Sequence, residues 1–265
     1  MMVAWMFQVV FLTAFSLAQA RLEVIRGHEC DVFNGQDQNI IVIFHGYAIP
    51  GHGALPEKYH YIASRFVKLG YAVVIPRDNV GALGIFSAAS WGPDVAAAVR
   101  DDWAKGRPMA IAGHSMGGAA AMSAARLTQG ISAYVAMHPA SMISGDAFKQ
   151  VQGPILFTTG TYDGGVFCGV TSPKRALESY TKASFPKALV NVRGDGHGSS
   201  QSGQGMEWLA VSSWISCFMK QDAKSCNWIR FEMCQSAGLE WCNLEFSQVT
   251  TGSHVLESNA STILV

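Results

Sequence analysis

Short, nearly uninterrupted apolar runs alternate with amphipathic stretches through most of this chain. The runs are Ile40–Phe44, Tyr71–Ile75, Met109–Ala112, Ala133–Met137, Ile155–Thr159 and Leu189–Val192. Runs this short and this apolar predict strands buried on both faces of a sheet. The stretches between them carry a helical period instead. Tyr59, Ile62, Ala63, Phe66 and Leu69 share one face of a helix that Gly70 ends, and Pro76 closes the strand that follows. After a loop over Arg77–Gly92, a helix over Pro93–Ala104 turns Val95, Ala98, Val99 and Trp103 inward. The Ala-rich segment Ala119–Leu127 has high helix propensity. A small helical piece falls near Asp146–Val151, and Ser172-Pro173 reads as an N-cap with proline at the first helical position, opening a helix to about Lys182. The last helix spans about Met206–Lys220 and buries Trp208, Val211, Ile215 and Phe218. Strands alternating with helices at this spacing predict an α/β fold, a mostly parallel central sheet covered by helices on both faces.

The two ends break this pattern. Residues 1–20 hold an apolar run too short for a comfortable membrane span and finish in Ala18-Gln19-Ala20, a small-x-small cleavage pattern. They are read as a signal peptide, although the first basic residue is Arg21 and no charged region precedes the run; a signal anchor is the alternative. The domain is placed at residues 21–246, with no membrane span left once the leader is cleaved. From about Ser247 to Val265 the chain is polar and unpatterned, a mobile tail holding the sequon Asn259-Ala260-Ser261. Only residues 138–154 separate the fourth and fifth strands, too few for a helical cap over the sheet.

Composition narrows the class. Of 265 residues 49% are hydrophobic and 14% charged, which suits a large core and argues against disorder. Nineteen basic and nineteen acidic residues cancel, so there is no electrostatic footprint of a nucleic-acid partner. Six cysteines fit an oxidising destination, and four of them (Cys217, Cys226, Cys234, Cys242) predict a stapled C-terminal segment, 217–242, whose pairing the sequence leaves open. No C-x-x-C pair supports zinc.

The chemistry gathers at the ends of the apolar runs. Met109–Ala112 runs into Gly113-His114-Ser115-Met116-Gly117 and then into the Ala-rich helix: strand, sharp turn, helix, with a serine at the apex. A serine that attacks a carbonyl must stand clear of the backbone, and small residues on either side allow the close passage this needs. The helix behind it aims its N-terminus, and the Met116 N–H, at a developing oxyanion. Two later loops supply partners. Thr161-Tyr162-Asp163 follows one run and Gly194-Asp195-Gly196-His197-Gly198 follows the last, giving the order Ser115, Asp163, His197. Asp163 is the acid that orients the base; Asp195, two residues from His197, is the rival acid and is poorly placed to face the imidazole. The loop after Ile40–Phe44 offers a second oxyanion donor at the Tyr47 N–H, with the Tyr47 ring either beside the acyl group or in the core. His138 either lines the pocket or is structural, His114 packs beside the nucleophile, and His45 with His52 makes a weak metal pair. Ile85, Phe86 and Trp91 form an apolar wall or pack beneath their loop.

The block H-G-Y, G-H-S-M-G-G, T-G-T-Y-D, G-D-G-H, spread over residues 40–220, resembles the alpha/beta-hydrolase superfamily. Within it the sequence is similar to cap-less secreted esterases of the PET hydrolase/cutinase-like and dienelactone hydrolase-like groups. The resemblance implies Ser115 as nucleophile, Asp163 as acid, His197 as base, and the amides of Tyr47 and Met116 as oxyanion hole. The chain departs from the family in three places. The N-terminal antiparallel strands look abbreviated. No Trp occurs between Trp103 and Trp208, where PET hydrolases place one, and the cysteine-rich end has no counterpart.

The expectation is a secreted serine esterase that works through an acyl-enzyme. It needs no cofactor or metal, and its open site takes a small-molecule or polymer-bound ester, contacted by Tyr47, His138 and Phe86. An acyltransferase on the same triad, or a non-catalytic binding protein on a hydrolase scaffold, are the alternatives.

Overall fold

Alternate residues of the apolar runs face opposite sides of one sheet, and both sides are filled. In β3 (Ile40–Phe44), Ile40, Val42 and Phe44 join one core cluster with Val95, Val99 and Ala120. Ile41 and Ile43 join the other, with Ile62, Phe66 and Trp214. No solvent-facing side remains to demand polar residues, which is why these strands read as continuous apolar runs. The computed structural model describes residues 19–47, 56–77, 84–140, 150–165, 171–183, 186–246 and 261–264, with the backbone alone at 84–88, 165 and 261–264. Residues 1–18 of the expected leader lie outside this set, as do most of the Asp146–Val151 piece and the tail residues 247–260.

Besides β3, the strands are β1 (Arg21–Ile25), β2 (His28–Phe33), β4 (Ala72–Pro76), β5 (Met109–His114), β6 (Ala133–Met137), β7 (Ile155–Gly160), β8 (Lys187–Val192), β9 (Leu239–Glu245) and β10 (Ser261–Leu264). They form a single sheet in the order β1-β2-β4-β3-β5-β6-β7-β8-β9-β10. From β4 to β8 neighbours run parallel. The pairs β1–β2 and β2–β4 on one side, and β8–β9 and β9–β10 on the other, are antiparallel. Helices α2 (Gly84–Ala98), α3 (Met116–Leu127) and α4 (Pro173–Lys182) cover one face. Helices α1 (His60–Lys68), α5 (Gly205–Lys220) and α6 (Ala223–Phe231) cover the other.

The six expected strands and most expected helices are present. The differences have physical causes. The stretch expected as a loop up to Gly92 is helical from Gly84, so α2 carries Pro93 in its interior before continuing as a π-helical turn over Val99–Ala104. A proline there costs roughly 3 kcal/mol in isolation. Close packing on α3 offsets it: a Cβ at Gly92 would lie 2.4 Å from the Ala120 carbonyl oxygen, so the two backbones touch. Leu189–Val192 is not the last strand and Met206–Lys220 is not the last helix, because α6 and β9 follow. Within the segment expected as a mobile tail, Ser261–Leu264 pairs with β9. At the other end a hairpin of β1 and β2 stands where the family's antiparallel strands looked abbreviated.

Two short disulfides fix the C-terminal additions. Cys217–Cys226 ties the end of α5 to α6, and Cys234–Cys242 ties the turn after α6 to β9. Asp222 caps α6 by accepting from the Ser225 N–H at 2.8 Å. Closing a loop of this length stabilises by about 2.5 kcal/mol in the chain-entropy account. The double substitution Cys217→Ala/Cys226→Ala is therefore expected to lower the free energy of unfolding by about that amount. Urea denaturation of the oxidised protein measures it.

Candidate active site

The functional side chains sit on the turns leaving the carboxyl ends of the parallel strands, where an open α/β sheet presents its crevice. Ser115 is the hinge between β5 and α3. Its backbone has φ 58° and ψ −116°, a region that costs a non-glycine residue roughly 1–3 kcal/mol. The surroundings enforce it. A Cβ at Gly113 would lie 2.0 Å from the Gly117 carbonyl oxygen, and one at Gly117 would lie 2.1 Å from that of Phe44. Strand, turn and helix thus converge closely enough to exclude any side chain, and Ser115 is left at the apex. Met116 opens α3, so its N–H has no acceptor within the helix.

Ser115 Oγ is 2.9 Å from His197 Nε2, and His197 Nδ1 is 2.8 Å from Asp163 Oδ1. Ser115, Asp163 and His197 therefore form one hydrogen-bonded chain, as the sequence order suggested. The imidazole is the part open to solvent, its side chain 18% exposed against 0% for Asp163. Asp195 makes no contact with the imidazole. Its carbonyl accepts from the Tyr162 N–H at 2.9 Å, and burial pushes its carboxyl up.

Asp163 is held from every side. Oδ2 accepts from His138 Nδ1 at 2.8 Å and from Thr159 Oγ1 at 3.2 Å. Its carbonyl accepts from Thr171 Oγ1 at 3.1 Å. Burial opposes ionisation, but the hydrogen bonds from His138 and His197 outweigh it and keep the carboxyl below its usual range.

The expectation that His138 lines the pocket does not hold. Its side chain is fully buried, wedged between Asp163 and Glu207, whose Oε1 lies 3.2 Å from His138 Nε2. That second contact is an ion pair without the alignment of a hydrogen bond. Burial would strip the proton from His138, but the Glu207 charge and the Asp163 hydrogen bond prevail and push its pKa up to about 10. Glu207 is anchored in turn by the hydroxyls of Thr158 and of Ser200, the latter at 2.8 Å. Burial opposes its ionisation too, yet His138 keeps its carboxyl below the usual range.

His114 is in the opposite state. Burial pulls its pKa down to about 3, so the ring is neutral. Nε2 donates to the His197 carbonyl at 2.5 Å, which leaves Nδ1 to accept from the Tyr59 hydroxyl at 2.7 Å. The Tyr59 oxygen then accepts the Gly46 N–H at 2.8 Å. His114 thus does more than pack: it holds the loop of His197.

Gly46 brings the turn after β3 against Ser115, since a Cβ there would lie 3.2 Å from Ser115 Cβ. Its own N–H is taken by Tyr59, which makes Tyr47 the next amide along. The Tyr47 ring is partly buried against the core. The side chain of Phe86 lies outside the described residues. Trp91, on α2, packs on Phe44 and His45 with ring centroids 5.0 and 5.9 Å apart, beneath the site. His45 Nδ1 is 2.7 Å from the Gly46 carbonyl, and its suggested metal partner His52 lies outside the described residues. His138, Asp163 and His197 bring three ligand-type atoms within 4.8 Å. In this structure the three are joined by hydrogen bonds, His138 Nδ1 and His197 Nδ1 each engaging one Asp163 oxygen.

Glu207 escaped sequence reading, although a signal was there. Glu207, Val211 and Trp214 fall on one face of α5, and a carboxylate on an otherwise apolar stripe must have a buried partner. The paired hydroxyls Thr158-Thr159 in an apolar strand were a second sign.

The charges give stability a pH dependence with a definite sign. The folded-state pKa of His138 lies above its ordinary value, so its contribution is complete below about 6.5 and is lost as pH rises toward about 10. The Tm advantage of wild type over His138→Asn is expected to be greatest near pH 6 and to shrink by pH 10. Thermal unfolding of both proteins across that range checks it.

No match to a curated protein is found for the chain. The model of the alpha/beta hydrolase family matches residues 42–204, a span that holds Ser115, Asp163 and His197 together with the strands that carry them. The parallel sheet and the serine turn at its crevice are the frame of that family, and the chain belongs to it: it is an alpha/beta hydrolase.

Proposed function

We propose that the chain is a secreted serine hydrolase that cleaves carboxylic esters. One observation carries the reading: the unbroken chain from Ser115 Oγ through the His197 ring to the buried Asp163 carboxylate. In the first half-reaction His197 Nε2 takes the proton from Ser115 Oγ as that oxygen bonds to the ester carbonyl carbon. The N–H groups of Met116 and Tyr47 receive the oxyanion. The intermediate collapses, the alkoxide leaves with the proton from His197, and an acyl-serine remains. Water, deprotonated by His197, then attacks the acyl carbon; the acid departs and Ser115 recovers its proton.

Asp163 accepts from Nδ1 throughout, so the tautomer with Nε2 free to take a proton is the one selected. The Tyr47 side chain is proposed to flank the acyl group. The exposed base and the short link between β6 and β7 favour an ester presented on a bulky molecule or a surface. Secretion is supported by the leader pattern of residues 1–20 and by two disulfides. No helix of the described residues is long and apolar enough to cross a membrane.

Hydrolysis of a p-nitrophenyl ester tests the reading. Ser115→Ala is expected to lower kcat by about 10⁶ with the fold retained, and a fluorophosphonate probe is expected to label wild type but not the variant. Activity near wild type in Ser115→Ala would refute the serine mechanism, and a wild-type protein that neither hydrolyses nor takes the probe would favour a binding role.

A further inference from the structure

We propose that His138, clamped between Asp163 and Glu207, is a positioning residue that fixes which carboxylate oxygen faces His197 and sets the pH range over which that base works. The inference rests on the serine-hydrolase reading above and adds to it a second pair of side chains that never meets substrate.

The geometry makes the case. Asp163 has two oxygens; His197 takes Oδ1 and His138 takes Oδ2, each at 2.8 Å. A carboxylate engaged on both sides cannot rotate, so the plane offered to His197 is fixed before substrate arrives. Each His138 nitrogen faces a carboxylate oxygen, Nδ1 at 2.8 Å and Nε2 at 3.2 Å. A neutral ring would turn a lone pair toward one of them, a repulsive contact in a site closed to water. In the imidazolium both nitrogens carry a proton, one donated to Asp163 and the other setting positive charge beside Glu207. The backbone supports this placement at a cost, for His138 stands at φ 43° immediately after β6. Glu207 completes the clamp by accepting from Thr158 on β7 and from Ser200 just beyond the His197 loop. One buried carboxylate thereby joins the strand of the acid to the loop of the base.

A fixed positive charge beside Asp163 has a kinetic consequence. It offsets part of the negative potential that Asp163 exerts on His197, so an imidazolium formed there during the reaction is stabilised less than it would be by Asp163 alone. The other titratable groups facing His138 are the neutral His114, with ring centroids 6.0 Å apart, and His197 itself, also at 6.0 Å. Asp195, whose carboxyl burial pushes up, feels the His138 charge in the opposite sense.

The test is the pH profile of kcat/KM for p-nitrophenyl butyrate in wild type and His138→Asn. Asparagine tolerates positive φ, and its amide nitrogen can replace Nδ1 on Asp163 while removing the charge. The midpoint of the rising limb is expected to move up by about one pH unit, so that activity falls about tenfold at pH 6 and much less at pH 9. A purely structural role predicts an equal loss at every pH; that result, or superimposable profiles, would overturn the proposal. Imidazole ¹⁵N NMR of wild type reads the charge without reference to activity. His138 is expected to be doubly protonated at pH 8, and in Glu207→Gln to lose its proton at lower pH than in wild type. A singly protonated ring in wild type at pH 8 would refute the inference even if His138→Asn failed to fold. Failure of the serine reading shows elsewhere, in Ser115→Ala.

Discussion

A carboxylate shut away from water must have its lone pairs answered by the protein, and Asp163 sets that condition for the whole site. The idealised cost of burying an unpaired charge is many kcal/mol, so the partners must be in place before the fold is stable. They come from separate parts of the chain: His138 after β6, Thr159 within β7 and His197 after β8. Satisfying this one side chain therefore draws the carboxyl ends of three neighbouring strands together. His197 is placed as a consequence.

Ser115 is placed by a different constraint, steric rather than electrostatic. Ser115 and His138 both have positive φ, and they follow adjacent strands, β5 and β6. Their turns also share hydrogen bonds: the Ser115 N–H donates to the Met137 carbonyl, and the Ala140 N–H to that of Ser115. Backbone strain of this kind persists only where the surroundings over-determine it. Here the surroundings are the crossing of β3, β5 and α3 at two glycines, which leaves no other path for the chain.

These two constraints explain what could be read from the amino-acid order. Ser115, Asp163 and His197 were legible because each follows an apolar run whose strand character is unambiguous, and a parallel sheet gathers such positions at one edge. The paired histidines were not legible in the same way. His114 and His138 differ from a core-packing histidine only through partners remote in sequence: Tyr59 for one, Glu207 for the other. The outer elements were hidden for another reason. Leu22 and Val24 of β1 are exposed, so their alternation does not report a buried face, and Leu239–Glu245 mixes buried, partly buried and exposed positions beside its disulfide. Pro93 misplaced the start of α2 because local propensity lost to the close approach of α3.

The contrast between His114 and His138 shows how far context governs a single residue type. Both rings are fully enclosed, so desolvation favours the neutral form of each. His114 meets a phenol and a carbonyl, which a neutral ring satisfies completely with one donor and one acceptor. His138 meets two carboxylates, which only a cation can satisfy. The first ring therefore steadies the backbone of the His197 loop, while the second, with its pKa raised by two carboxylates, sets a positive charge beside Asp163. Geometry and electrostatics at the site are thus set by two different histidines. Either can change without the other, so the charge beside Asp163 can be altered while the position of the His197 loop is kept.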